Sequence, residues 1–220
     1  MTHQSPGPTL LLNKNRVTQL LLLCVSALIG THIGLQYIEY RIADVHWLVL
    51  QMFDVDVEDS VPTWYSSSAL LFSSLLAYLK YVQVKSDPQR FYWLIMAAGL
   101  AFLSLDEIAG FHEALNTLTD VSWAIPAMAV VAVAGLLYLR FLLSLPTRTL
   151  ALFITAGVTF LAGAVGVELA TEWYADEDLL NTLAYNLWTA VEEGLEMLGV
   201  VVLVYGLLDC MQGEFGLRVE

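Results

Sequence analysis

The chain has 220 residues, of which 58% are hydrophobic and only 14% charged. A soluble domain has an apolar share of about half, so this composition points to an integral membrane protein. The formal charge is −13, and the nine Lys and Arg are scattered at segment ends, which excludes nucleic acid as a partner class. Cys24 and Cys210 share no CxxC spacing, which argues against a disulfide framework or a thiolate metal site.

Residues 1–16 are polar and proline-bearing and read as a cytoplasmic N-terminus. Six apolar runs follow, near 17–38, 62–84, 91–115, 123–145, 150–172 and 182–209, each close to the roughly 20 residues that cross a bilayer. The first run is too long for a signal-peptide core and lacks a small-residue cleavage site, so it counts as a span. The expected architecture is an all-α, integral membrane six-helix bundle, one domain over 17–209, ending in a cytoplasmic tail over 210–220. Lys14, Arg16, Lys80, Lys85, Arg90, Arg140, Arg148 and Arg218 fall on one side of this arrangement and only Arg41 on the other. Positive residues stay inside, so both termini are expected in the cytoplasm, with the protein multi-pass in the inner (plasma) membrane.

Between the first two spans, IADVHWLVLQMF is too short to cross, and its Trp47 suits a short helix lying at the outer interface. The following DVDVEDS, Asp54 to Ser60, alternates acids but lacks the glycine and terminal glutamate of an EF-hand, so it reads as a solvated acidic loop. Ser66, Ser67, Ser68, Ser73 and Ser74 on the second span read as hydrogen-bonding groups between helices. The fourth span has no acid and is expected to be peripheral. On the fifth, Ala162, Gly166 and Ala170 recur every four residues, a spacing that lets a neighbouring helix approach closely.

The third span ends in SLDEIAGFHEAL, which packs Asp106, Glu107, His112 and Glu113 into eight residues. At about 1.5 Å per residue, Asp106, His32, Glu168, Glu192, Glu193 and Glu196 share one depth. Glu39, His112, Glu113 and Glu172 form a tier nearer the outer boundary. Winding each helix at about 100° per residue sets Asp106, Glu168, Glu192 and Glu196 on facing stripes, with His32 as the nitrogen donor and Glu113, Glu172 and Glu39 as the outer tier. Glu107, Glu193 and His112 fall off the stripes as supporting groups, and Tyr185 and Trp188 lie beside any substrate. No Lys or Arg accompanies these acids within the spans. Each charge at mid-bilayer costs at least about 2.5–3.5 kcal/mol, which leaves protonation, water or bound cations to neutralise them.

An oxygen-rich ligand set with one or two histidines favours a divalent metal, iron or manganese over zinc or calcium. The Glu-x-x-His pairs of di-iron bundles are missing, however. A metal site of this kind suits oxidation or hydrolysis of a lipid-like or periplasmic substrate. The alternatives are a cation or proton transporter or channel, and an accessory subunit whose acids meet partner membrane proteins or a second copy of the chain. The cytoplasmic third of the spans is nearly devoid of polar groups, which favours an outward-opening pocket over a continuous pore.

SLDEIAGFHE together with EEGLEMLG resembles motifs of uncharacterised bacterial multi-pass membrane proteins, which have an Asp-Glu…His-Glu helix and a later Glu-Glu…Glu-Met helix. The resemblance covers helices three to six and implies that the same residues form the site. It carries no activity.

Overall fold

A backbone surrounded by lipid must satisfy its N–H and C=O groups internally, and this chain does so with helices. The computed structural model describes residues 9–10, 13–112, 114, 122–211 and 217–218. In chain order these form α1 (Lys14–Arg41), α2 (Trp47–Phe53), α3 (Val61–Gln83), α4 (Arg90–Ala109), α5 (Ala124–Ser144) and α6 (Thr147–Leu161). A π-helical turn (Ala162–Val167) then leads into α7 (Glu168–Thr171), α8 (Trp173–Asp176) and the long α9 (Leu183–Cys210). Apart from a two-residue antiparallel pairing of Thr9–Leu10 with Leu217–Arg218, which ties the two chain ends together, the described fold is all-α.

Side-chain caps fix three helix starts. Asn13 accepts from the N–H groups of Asn15 and Arg16 ahead of α1, Ser60 from Thr63 ahead of α3, and Thr182 from Tyr185 ahead of α9. Such caps satisfy donors that the first helical turn leaves orphaned.

Four stretches, Lys14–Arg41, Arg90–Ala109, Ala124–Ser144 and Thr147–Ala175, are long and apolar enough to cross a membrane. Helices α3 and α9 are as long, but α3 buries a serine-rich face and α9 carries Glu192, Glu193 and Glu196. Helix α3 sets that face against α4 and α9 and leaves Trp64, Leu71 and Leu75 exposed on the other. Helix α9 is the centre of the bundle, touching α1, α3, α6, the π-helical turn and α7, so the most acidic helix is the one least in need of an apolar surround. Helix α5 is peripheral, as its sequence implied: Leu136 is 74% exposed and Val130 69%.

The apolar core occupies one end of the bundle. Leu76 and Ala77 of α3, Trp93 of α4, Phe153 of α6 and Val204 and Leu207 of α9 pack together there, with Phe141 of α5 edge-on to Trp93 at 5.2 Å. At that same end Lys14 pairs with Asp209, Arg148 Nε lies 2.9 Å from Asp209 Oδ2, and Lys80 donates to the Cys210 carbonyl at 3.2 Å. The acids of α9 lie toward the other end.

Helices α3 and α4 are joined by the serines. Ser67 Oγ donates to the Ser104 carbonyl at 2.7 Å, Ser104 Oγ to the Ser67 carbonyl at 2.8 Å, and Ser74 Oγ to the Ala97 carbonyl at 2.7 Å. Interhelical hydrogen bonds in lipid average about 0.6 kcal/mol, so close packing supplies most of the adhesion and the serines fix the register.

Two expectations need correction. The small-residue stripe Ala162, Gly166 and Ala170 faces outward. The contact with α9 runs instead through Gly163, where an added Cβ would lie 2.5 Å from the Glu192 carbonyl, and through Gly199, where it would lie 2.7 Å from the Phe160 nitrogen. The physical reason is the π-helical turn, which widens the helix by a residue and breaks the spacing of four. The third span also stops at Ala109 rather than near 115. Gly110 takes φ +56° and donates its N–H to the Asp106 carbonyl at 2.8 Å, the left-handed termination that glycine permits without a Cβ clash.

Candidate functional site

The end of the bundle opposite the basic residues is lined by acids from several elements. Glu107 comes from α4, Glu168 from the start of α7, Glu192, Glu193 and Glu196 from α9, and all are half-buried. They act on one another through space: Glu193 lies in the field of Glu196, Glu107, Glu192 and Asp56, and Glu196 in that of Glu107, Glu192, Glu168 and Asp106. Glu192 in turn feels Glu168, Asp56 and His112. Among the described residues, Lys14 and Arg148 pair with Asp209 at the other end of the molecule.

At its inner edge this acidic layer borders a cavity of ≈ 10 Å³, lined by Glu107, Glu196, Ser66, Tyr65 and apolar side chains of α3, α6 and α9. That is about the room one water molecule needs. At its outer edge stands Tyr185, half-buried, in the field of Asp56, Glu192 and Glu168, with its ring 5.8 Å from that of Tyr174.

The acidic loop of residues 54–60 closes the mouth rather than standing in solvent. Val55 and Ser60 are buried. Asp54 accepts from Gln36 Nε2 at 3.5 Å, and the carboxyl of Glu58 lies on Gly110, in space that a Cβ would fill. Asp56 and Asp59 are exposed, so only part of the loop meets solvent as the sequence implied. The usable signal was the alternation of valine with acid in DVDVEDS, which puts one side of the loop inward.

The structure redistributes the expected roles. His32 is buried at the depth expected, but both its ring nitrogens meet backbone groups. Nε2 lies 3.1 Å from the Asn186 carbonyl, and Nδ1 accepts from the Val55 N–H at 3.3 Å and lies 3.5 Å from Asp54 Oδ1, so His32 is a strut between α1, α9 and the loop. Asp106 is paired with His112, Oδ2 to Nδ1 at 3.0 Å, and accepts from the His112 N–H at 3.2 Å. The left-handed Gly110 turns the chain back and brings His112 onto Asp106, which continued helical winding could not do. The His112 ring lies 5.0 Å from Trp123.

Glu107 and Glu193, expected beside the site, belong to its interior. Glu39 accepts from the Val45 N–H at 2.6 Å and caps the turn after α1, outside the layer. Glu172 and Trp188 are exposed, so Trp188 does not share the inner face with Tyr185. Glu113 lies outside the described residues. Among the described residues, no three His, Cys, Asp or Glu side chains gather closely enough to hold a metal ion.

A family model described as "Domain of unknown function (DUF8692)" matches residues 18–211. No curated protein and no solved structure matches the chain.

Proposed function

The chain belongs to the DUF8692 family, whose description assigns no activity, and we propose from its own residues that it is a cation-binding protein of the inner membrane, with six spans and both termini in the cytoplasm. The carrying observation is that acids of α4, α7, α9 and the 54–60 loop face one layer at the end away from the basic residues. A negative layer in a low-dielectric surround raises the local concentration of cations, and only cations, protons included, can offset it there. Ions enter past Asp56, Glu168 and Glu192, whose charge draws in a hydrated divalent ion such as manganese or iron.

The apolar core beneath the layer supports a site open to the outer side only, as against a continuous pore. The small cavity supports an ion as the ligand, since ≈ 10 Å³ admits no organic substrate. A metal-dependent oxidase or hydrolase is the second reading, and the Asp106–His112 pair favours it, because a carboxylate that orients an imidazole is a common support for metal ligation.

Manganese titration of the protein in lipid nanodiscs, followed by the electron paramagnetic resonance of free Mn²⁺, tests the proposal. Saturable binding is expected, weakened by about tenfold or more in the double variant Glu168→Gln, Glu192→Gln. Failure of the unaltered protein to bind, or equal binding by the double variant, would overturn it.

A further inference from the structure

We propose that the groove between the start of α4 and the last two turns of α5 holds one anionic phospholipid, with its phosphate on Arg140 and an acyl chain along Leu139 and Leu136. The groove lies apart from the acidic layer, so the proposal goes beyond cation binding and requires only that α4 and α5 sit in the bilayer.

The first support is the groove itself. Helices α4 and α5 meet through rings: Tyr92 lies 5.4 Å from Tyr138 and 5.0 Å from Phe141, and Trp93 lies 5.2 Å from Phe141. The Tyr138 hydroxyl also donates to the Tyr92 carbonyl at 2.8 Å. Side chains of this size hold the two backbones apart, and beside them is a groove of ≈ 430 Å³ lined by Gln89, Leu136, Leu139, Arg140, Leu143 and Ser144. That volume falls in the range of ordinary ligand sites and suits a headgroup with the upper part of one chain. Ser144 Oγ, 2.6 Å from Gln89 Oε1, bridges the two helices at the end of the groove away from the bilayer centre.

The second support is charge. The other basic side chains around this end are engaged within the protein: Lys14 and Arg148 with Asp209, and Arg90 with the Lys85 carbonyl and the Tyr81 hydroxyl. Arg140 is exposed in the groove, and among the described residues it has no carboxylate or hydrogen-bond partner. A guanidinium takes a phosphate through two parallel N–H···O bonds, and a basic pocket between spans on the cytoplasmic side suits an anionic headgroup. A zwitterionic headgroup would bring its own cation toward Arg140, which favours the anionic kind.

The leucines make the ligand a lipid and not a free phosphate. Leu136, Leu139 and Leu143 are all exposed, and with Arg140 they recur at the three- and four-residue spacing of one helix face. From Arg140 toward the bilayer centre that face offers Leu139 and then Leu136, about 6 Å of helical rise, so a phosphate on Arg140 sets its attached chain on leucine. The chain as a whole, with a formal charge of −13, repels an anionic lipid. A preference for one therefore requires a local basic site.

Native mass spectrometry of the protein released from detergent micelles, supplied with equal amounts of phosphatidylglycerol and phosphatidylcholine of the same acyl chains, counts the lipid that stays bound. One phosphatidylglycerol per chain is expected, in preference to phosphatidylcholine. Arg140→Gln should weaken its retention by about fivefold or more with little change in melting temperature, and Leu139→Asn should weaken it without a change of charge. Arg16→Gln, which removes an exposed charge at the start of α1, should leave retention as it was. Equal retention of the two lipids, full retention in Arg140→Gln, or equal losses in Arg16→Gln and Arg140→Gln would overturn the inference. So would displacement of the lipid by soluble glycerol phosphate, which would mark a free-phosphate site, or a second copy of the chain found in place of the lipid. Manganese binding is unaffected by any of these results, so the failure of this site and the failure of the acidic layer are read separately.

Discussion

Replacing His32 with alanine leaves the Asn186 carbonyl and the Val55 N–H facing a void, because each meets a ring nitrogen of a side chain that is 1% exposed. A buried donor or acceptor stripped of its partner costs about 1–3 kcal/mol. His32→Ala is therefore expected to lower the melting temperature of the purified protein while leaving its manganese capacity per folded molecule intact. Loss of capacity at unchanged stability would instead make His32 a ligand. The sequence showed that His32 lies inward at the depth of the acids, since that follows from helical rise and a narrow polar stripe. Its partners were not legible, because one lies 154 residues away and the other sits in a loop whose path depends on where Val55 packs. His112 illustrates the same limit from the other direction: its contact with Asp106 exists only because Gly110 leaves the helix.

At the scale of elements, the crossing of α6 and its π-helical turn with α9 is set by where glycine is indispensable. Gly163→Ala places a Cβ 2.5 Å from the Glu192 carbonyl, and Gly199→Ala places one 2.7 Å from the Phe160 nitrogen. Both obstacles are backbone, so the helices must separate, at a cost of about 1–3 kcal/mol each. At Gly166 the nearest atom is 3.8 Å away, and alanine there should be neutral or stabilising by about 0.5–1 kcal/mol, the usual gain in a helix. Chemical or thermal unfolding of the three variants in one detergent checks the order. Destabilisation by Gly166→Ala alone would restore the stripe read from the spacing of four. The six long helices among the described residues fall on apolar runs of the sequence, and of the α3 serines expected to join helices Ser67 and Ser74 do so, whereas Ser73 bonds within its own helix and Ser68 is exposed. The π-helical turn was not visible, because nothing in AGAVGV distinguishes one extra residue in a turn from regular winding. It also sets the position of Glu168, which follows it directly and lies in the field of Glu192.

For the whole molecule, the open question is whether α3 and α9 cross the bilayer along with the four more apolar stretches. A helix with three glutamates facing lipid pays about 2.5–3.5 kcal/mol or more for each charge near the centre, but α9 faces the other helices, with Thr189, Ala190, Met197, Val201 and Val204 buried. Helix α3 buries Ser66, Ser67, Ser73 and Ser74 in the same way. Hydropathy measured along a single helix therefore understates how well both suit a spanning position. The basic residues agree: Lys14 at the start of α1, Lys80 near the end of α3, Arg90 at the start of α4 and Arg148 in the first turn of α6 share a side only if α3 crosses, and the paired chain ends share it only if α9 does. Alkaline phosphatase fused after Asp59 or after Asp178 is then expected to be exported and active, and fused after Asp87 or at the C-terminus to be retained and inactive, because Lys and Arg hold their loops in the cytoplasm. Fusions after Asp59 and Asp87 that behave alike would show that α3 does not cross, and an active C-terminal fusion would show the same of α9. Either result would move part of the acidic layer out of the membrane and into water, where its charges need no bound cation.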